Sequence, residues 1–182
     1  MLNSHWYALT VKPRHERAAS RGLREKGLDE FLPLYRQRRR WSDRWTEKEL
    51  CLFPGYVFSR FSYEQRLLAL GTPGIHSIVG FGKTPSPIPD SEIDAIRSML
   101  ASGRRIEPWP HLRAGERVRI EDGCLRGLCG VLVREKDAWR VVVSVEVLER
   151  SVAVEVDRES VSPVQERFHP LRQERAGLRI AG

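Results

Sequence analysis

The sequence predicts an α+β chain built from two units, and three observations carry that prediction. Up to residue 100, short stretches of period-2 alternation are interleaved with stretches whose apolar residues recur at helical spacing. Beyond residue 114 the helical spacing disappears. Val141, Val143, Val145 and Val147 alternate with other residues, and Val152, Val154 and Val156 do so again, the pattern of half-buried strands. Charge divides the chain in the same way. Residues 1–100 carry 16 basic against 11 acidic side chains, net +5, while residues 114–164 carry 8 against 10, net −2, within an overall +7. The expected boundaries are therefore 1–103 for the first unit, 104–113 for a linker, 114–164 for the second unit and 165–182 for a charged tail.

In the first unit, residues 5–12 read as a strand that Pro13 ends, with Trp6 and Ala8 on one face and Tyr7, Leu9 and Val11 on the other. Residues 14–26 read as a helix with Ala18, Ala19, Gly22 and Leu23 along its apolar stripe and Gly27 at its C-terminal cap. Residues 31–35 form a short extended run, and residues 52–60 a strand interrupted by Pro54-Gly55. Ser62-x-x-Gln65 has the form of a capping box and opens a short helix that Gly71 stops. Residues 75–79 suit a strand. Pro89-Asp90-Ser91 starts the last helix, marked by Ile93, Ile96 and Leu100 and closed by Gly103. Gly103, Pro108 and Pro110, with no apolar period, mark the linker, where Trp109 can pack on either unit. Short valine-rich strands joined by glycine- and charge-rich turns make the second unit a small β-barrel.

An enzyme is not expected. The five histidines are scattered, and Asp90, Glu92 and Asp94 sit at a helix start, where acidic residues complement the helix dipole. Cys51, Cys124 and Cys129 fit neither a disulfide framework nor a zinc site. Neither a metal nor a cofactor is called for. No apolar run approaches the roughly 20 residues of a membrane span, and no signal peptide is apparent, so a cytoplasmic, monomeric protein without a membrane partner is expected.

Three constellations suit binding instead. Arg36, Arg38, Arg39, Arg40 and Arg44, interleaved with Trp41 and Trp45, combine cations for phosphates with rings for unpaired bases. A solvated hairpin is the plainer reading. In Leu52-Phe53-Pro54-Gly55-Tyr56-Val57-Phe58 the proline suggests an edge strand or bulge. Phe53 and Tyr56 then either form an aromatic surface or pack in the core. Residues 115–133 read as strand, glycine-punctuated loop, strand, with glycines suited to positive φ. Leu125 and Leu128 in this loop and Leu148 at a turn are either an exposed apolar patch that binds a partner or plugs of the barrel's ends.

Trp6-Tyr7, Phe53-Pro54-Gly55-Tyr56, Pro73-Gly74-Ile75 with Gly80-Phe81, Pro87-Ile88-Pro89 and the strand–loop–strand of residues 115–133 occur in that order. Together they resemble the NusG family of transcription elongation factors across residues 5–164. Arg40-Trp41-Ser42-Asp43-Arg44 is similar to the specialised antiterminators related to RfaH, UpxY and LoaP. The resemblance implies an N-terminal NGN domain, an antiparallel sheet flanked by helices, and a C-terminal five-stranded SH3-like KOW barrel. It implies docking on the clamp helices of RNA polymerase's largest subunit through Tyr7, Thr10, Phe53, Pro54 and Tyr56. It places Lys12, Arg17, Arg21 and Arg24 beside non-template or upstream DNA, where the residue chemistry of Arg38, Arg39, Arg40 and Trp41 in the arginine run points as well. The KOW loops, with Leu125, Leu128 and Leu148, would bind Rho or a ribosomal protein. Two alternatives stay open: a general factor coupling polymerase to Rho or the ribosome, and a KOW-type RNA- or ribosome-binding protein.

Overall fold

The computed structural model describes residues 3–41, 44–82, 84–109, 115–135 and 137–164, with 38–41, 44 and 135 described through their backbone alone. The expected tail and the linker residues 110–113 lie outside the described residues, as do the side chains of Arg38, Arg39, Arg40 and Trp41.

In the first unit the chain runs β1 (Ser4–Val11), α1 (Glu16–Glu25), β2 (Asp29–Phe31), β3 (Leu34–Trp41), β4 (Arg44–Cys51), β5 (Tyr56–Ser62), α2 (Arg66–Leu70), β6 (Ile75–Ile78), β7 (Gly80–Phe81), β8 (Thr84–Pro85) and α3 (Asp90–Ala101). Strands β2, β5, β1 and β6 form an antiparallel sheet in that order. Its alternation sorts the core. Tyr7, Leu9 and Val11 of β1 join Val57 and Phe61 of β5 beneath Ala19 and Leu23 of α1 and Ala69 of α2. Trp6 and Ala8 join Phe58 on the other face, against Ile93, Ile96 and Met99 of α3. The capping-box reading holds: the backbone N–H of Ser62 donates to Oε1 of Gln65 at 3.1 Å.

The second unit adds β9 (Ile106–Trp109), β10 (Glu116–Ile120), β11 (Cys129–Glu135), β12 (Ala138–Val145), β13 (Arg150–Val156) and β14 (Val161–Pro163). They pair antiparallel in the order β14-β10-β11-β12-β13-β9. Five of these are the expected barrel strands. The sixth corrects the linker reading, because residues 106–109 are a strand on the outer side of β13 rather than an unstructured connection. Trp109 thereby belongs to the barrel, opposite Ser151 and 5.2 Å beneath the guanidinium of Arg140. Gly127 takes φ 89°, as the glycine-loop reading requires.

The two units do not have separate cores. Trp6, Phe53, Phe58, Ile93, Ile96 and Met99 form one contiguous buried cluster with Val118, Leu125, Val141 and Val154 of the barrel.

Candidate functional site

The aromatic segment between β4 and β5 is a turn, not the edge of a sheet. β5 lies between β2 and β1, so the edge-strand expectation for residues 52–60 is corrected. The proline is accommodated in the turn that precedes the strand, where it costs no ladder hydrogen bond. Three main-chain bonds fix the turn: Leu52 N–H to the Pro33 carbonyl (2.9 Å), Tyr56 N–H to the Phe53 carbonyl (3.1 Å) and Val11 N–H to the Gly55 carbonyl (2.9 Å). Gly55 has φ 86°, a conformation that L side chains rarely adopt. Its N–H donates to Oε1 of Glu16 in the first turn of α1 at 2.9 Å.

This geometry sorts the five expected docking residues. Tyr56 lies opposite Thr10 across the β1–β5 pair, and Phe53 packs edge-on against Phe58 with centroids 5.5 Å apart. Thr10 directs its hydroxyl to Ser77 Oγ at 2.7 Å. Tyr7 does not belong to this group. Period 2 puts it on the opposite face, 5% exposed and stacked on Phe61 at 4.7 Å; burial pushes its phenol pKa up, with the charge of Glu64 adding to it. Trp6 is the β1 aromatic on the Thr10 face, and the alternation of the sequence already said so. It is buried, with the guanidinium of Arg97 at 4.8 Å from its ring and 5.0 Å from Phe31.

The second unit covers this face. Phe53 is 1% exposed and Tyr56 is half-buried, with the Arg150 guanidinium of β13 lying 5.6 Å over its ring. Of the two readings of Phe53, core packing therefore holds in this arrangement. The seam continues along α3. Glu92 accepts a hydrogen bond from the main chain of Glu146, while burial, followed by the Glu146 charge, raises its carboxyl pKa. Cys124 Sγ approaches the Ser102 carbonyl at 3.7 Å, and Arg104 reaches Asp157 at 3.5 Å. A cleft of about 1180 Å³ opens beside the seam, between Ser91, Asp94 and Ser98 of α3 and Arg117, Arg126 and Leu128 of the barrel.

Leu125, Leu128 and Leu148 are all buried, so the exposed-patch reading is corrected. Single 3-10 turns at residues 123–125 and 146–148 fold the chain back at Leu125 and Leu148, with Glu149 in the left-handed region closing the second.

Among the expected DNA-facing residues, Arg17, Arg21 and Arg24 share the face of α1 that points away from buried Ala19 and Leu23. Arg17 is bound to Glu49 of β4 at 2.7 Å and Arg24 to Glu30 of β2. Lys12 follows β1 directly and is exposed. The arginine run is regular structure: β3 and β4 form a two-stranded ribbon outside the main sheet. Among the described residues no cluster of His, Cys, Asp and Glu is placed to hold a metal, and no helix is long and apolar enough to cross a membrane.

The sequence matches the family model for the transcription termination factor nusG over residues 4–97, just over half of the chain. The chain belongs to the NusG family. The transcription termination/antitermination protein NusG of Pseudomonas aeruginosa is 28% identical over 177 residues, spanning 90% of this chain and 100% of that protein. Its namesake from Escherichia coli K12 is 31% identical over 116 residues, 61% of this chain and 64% of that protein. A solved structure described as domain interaction in Thermotoga maritima NusG shares the fold, with a TM-score of 0.54 at 21% identity, covering 90% of this chain and 98% of the other. The first unit is thus the NGN domain, and the second has the KOW form. The coarse function follows from the family: a transcription termination/antitermination factor.

Proposed function

We propose that this NusG-family chain is an antitermination and elongation factor that binds the clamp helices of RNA polymerase, suppresses pausing and acts on particular operons. The observation that carries the reading is the grouping of Phe53, Pro54 and Tyr56 at one fixed turn, with Thr10 opposite Tyr56 on β1, beside an aromatic face that the KOW domain covers. A large apolar face held under a second domain is the kind of surface a protein partner uses when the cover moves. The domain interaction described for the Thermotoga maritima relative fits such a closed form. In the open form the NGN face docks on polymerase, and the KOW domain takes a second partner, Rho or a ribosomal protein. The basic ribbon, similar to that of the specialised antiterminators, supports contact with exposed non-template or upstream DNA. Binding is the whole mechanism; no catalytic step is required.

The test is capture of purified RNA polymerase by the full chain. Tyr56→Ala removes a half-buried interface ring, and a hot-spot truncation typically costs about 2 kcal/mol or more. Capture should fall more than about tenfold while circular dichroism and thermal unfolding show a folded protein. Equal capture by wild type and variant refutes the docking assignment.

A further inference from the structure

The loop between β10 and β11 brings two thiols to one wall of the cleft between the units. Residues 125–128 form a type II turn: Arg126 has φ −51° and ψ 131°, Gly127 has φ 89°, and the Leu128 N–H donates to the Leu125 carbonyl at 3.0 Å. The first and last residues of the turn, Leu125 and Leu128, are buried, whereas the residues just outside them, Cys124 and Cys129, are exposed. Both cysteines line the cleft beside α3. The Cα atoms at the two ends of a β-turn lie less than about 7 Å apart, so the flanking cysteines need only a local adjustment to meet.

The two sulfurs have different surroundings. Cys129 stands directly opposite Arg119 across the β10–β11 pair, and the Arg119 guanidinium donates a hydrogen bond to its sulfur. An accessible sulfur beside a cation is the setting of reactive cysteines, because the attacking form is the thiolate. Cys129 Sγ also lies 3.6 Å from the Gly127 carbonyl. Cys124 directs its thiol across the seam instead, to the carbonyl of Ser102 at the C-terminal cap of α3, 3.7 Å away. Cys51, at the end of β4, is half-buried, and burial, followed by the charge of Glu16, pushes its thiol pKa up.

We infer that Cys129 and Cys124 form a reversible dithiol switch, oxidised by peroxide, that releases the barrel loop from α3. The Cys129 thiolate attacks one oxygen of hydrogen peroxide, the O–O bond breaks, and the other oxygen takes a proton and leaves as water. Cys129 is then a sulfenic acid. The Cys124 thiolate attacks that sulfur and displaces its hydroxyl, which leaves as the second water. The two thiols are oxidised to one disulfide and the peroxide is reduced to two waters; an external dithiol reverses the change. Bonding between the sulfurs takes Cys124 away from Ser102 and removes its thiol hydrogen, so the contact across the seam ends. The switch goes beyond the proposed role in transcription, and its test does not involve polymerase.

The experiment treats reduced full-length protein with a small excess of hydrogen peroxide, alkylates the remaining thiols and digests with trypsin. Trypsin cuts after Arg119, Arg126 and Arg134, so the disulfide joins peptide 120–126 to peptide 127–134. That joined pair, lighter than its two reduced parts by two hydrogens, should dominate the mass spectrum and disappear with dithiothreitol, while Cys51 stays alkylated. Cys124→Ser should stop at a sulfenic acid on Cys129, trapped by dimedone. Arg119→Gln should slow oxidation about threefold or more, and Arg119→Lys should recover most of the rate. Amides of residues 98–102 should exchange hydrogen about threefold faster or more in oxidised than in reduced wild type, and peroxide should leave them unchanged in Cys124→Ser/Cys129→Ser. The inference is overturned by absence of the joined pair, by disulfides between molecules in its place, by Cys51 reacting as fast as Cys129, by a rate indifferent to Arg119, or by a disulfide that leaves exchange at the end of α3 unchanged.

Discussion

The guanidinium of Arg150, on the first residue of β13 in the KOW domain, lies 5.6 Å over the ring of Tyr56, on the first residue of β5 in the NGN domain. It is a contact between domains at the rim of the turn that holds Phe53. The centre of the covered face is apolar, so its closure draws on burial, while Arg150 adds a directional contact at the edge. A cation over a partly exposed tyrosine contributes about 0.5–1 kcal/mol. Removing it biases the covered face toward opening without taking an apolar side chain out of the shared core.

Arg150→Ala should therefore raise polymerase capture about twofold to fivefold, the population shift that 0.5–1 kcal/mol permits. Thermal stability of the chain should hardly change. Capture that stays constant or falls would show that the Arg150–Tyr56 contact does not limit access.

Phe53→Ala behaves differently, because Phe53 is a core residue of the closed form. Replacing a buried phenylalanine by alanine costs about 3–5 kcal/mol, partly through the cavity left behind. Chemical denaturation should show a loss of that size. A variant as stable as wild type would mean that the seam is open in solution and that Phe53 is solvated there. The contrast with Tyr56→Ala, which should lose capture with little loss of stability, separates anchoring the fold from anchoring a partner.

The pH dependence of the seam follows from Glu92. Burial and the neighbouring Glu146 charge raise its carboxyl pKa in the folded, closed form. One of its oxygens is buried with no hydrogen-bond partner among the described residues. A carboxyl raised on folding favours the folded form most below its unfolded value, and that favour is lost as pH rises through the folded value. As pH rises above the unfolded value, the cost of ionising Glu92 in the closed form thus opposes closure. Glu92→Gln should unfold at higher temperature than wild type at neutral pH, with the difference vanishing below about pH 4. Parallel melting curves across that window would remove Glu92 from the account.

The elements most legible in the sequence were those fixed by local periodicity and punctuation. The β1 alternation, the Ala19 and Leu23 face of α1 (though Ala18, expected beside them, is exposed), Ser62–Gln65 and the valine strands of the barrel each follow from residues close in sequence. What stayed hidden depends on partners distant in sequence. A single strand's pattern could not show Arg38 opposite Glu47, so the arginine run read as one basic segment. Residues 106–109 read as linker because Pro108 counts against a strand, yet β9 is an outermost strand, where proline is tolerated. The sequence leaves Phe53 open between surface and core because nothing local reveals that a barrel coded sixty residues later closes over it. The misassignment of Tyr7 had a local remedy, since parity alone separates it from Thr10 and groups Trp6 with Thr10 instead.

The strand added by the linker supports the last prediction. Ile106, Glu107, Pro108 and Trp109 pair with Val154, Ala153, Val152 and Ser151. Ile106 is buried in the core, and the Glu107 carboxylate lies 2.8 Å from the buried Arg140 guanidinium, which also covers Trp109. Strand, ion pair and indole therefore tie residues 106–109 to the barrel. Removing one partner of a buried ion pair costs about 3–5 kcal/mol. Glu107 keeps some solvent access, so Glu107→Ala should cost less, about 1–3 kcal/mol, read from denaturation of the full chain. Glu107→Gln should recover part of that loss by keeping an acceptor for Arg140. The same argument sets the domain boundary. A fragment of residues 104–164 should melt at a clearly higher temperature than one of residues 114–164, which lacks β9 and leaves Arg140 without its carboxylate. Two fragments of equal stability would mean that β9 merely rests on the barrel and that the boundary belongs where the linker was first expected to end.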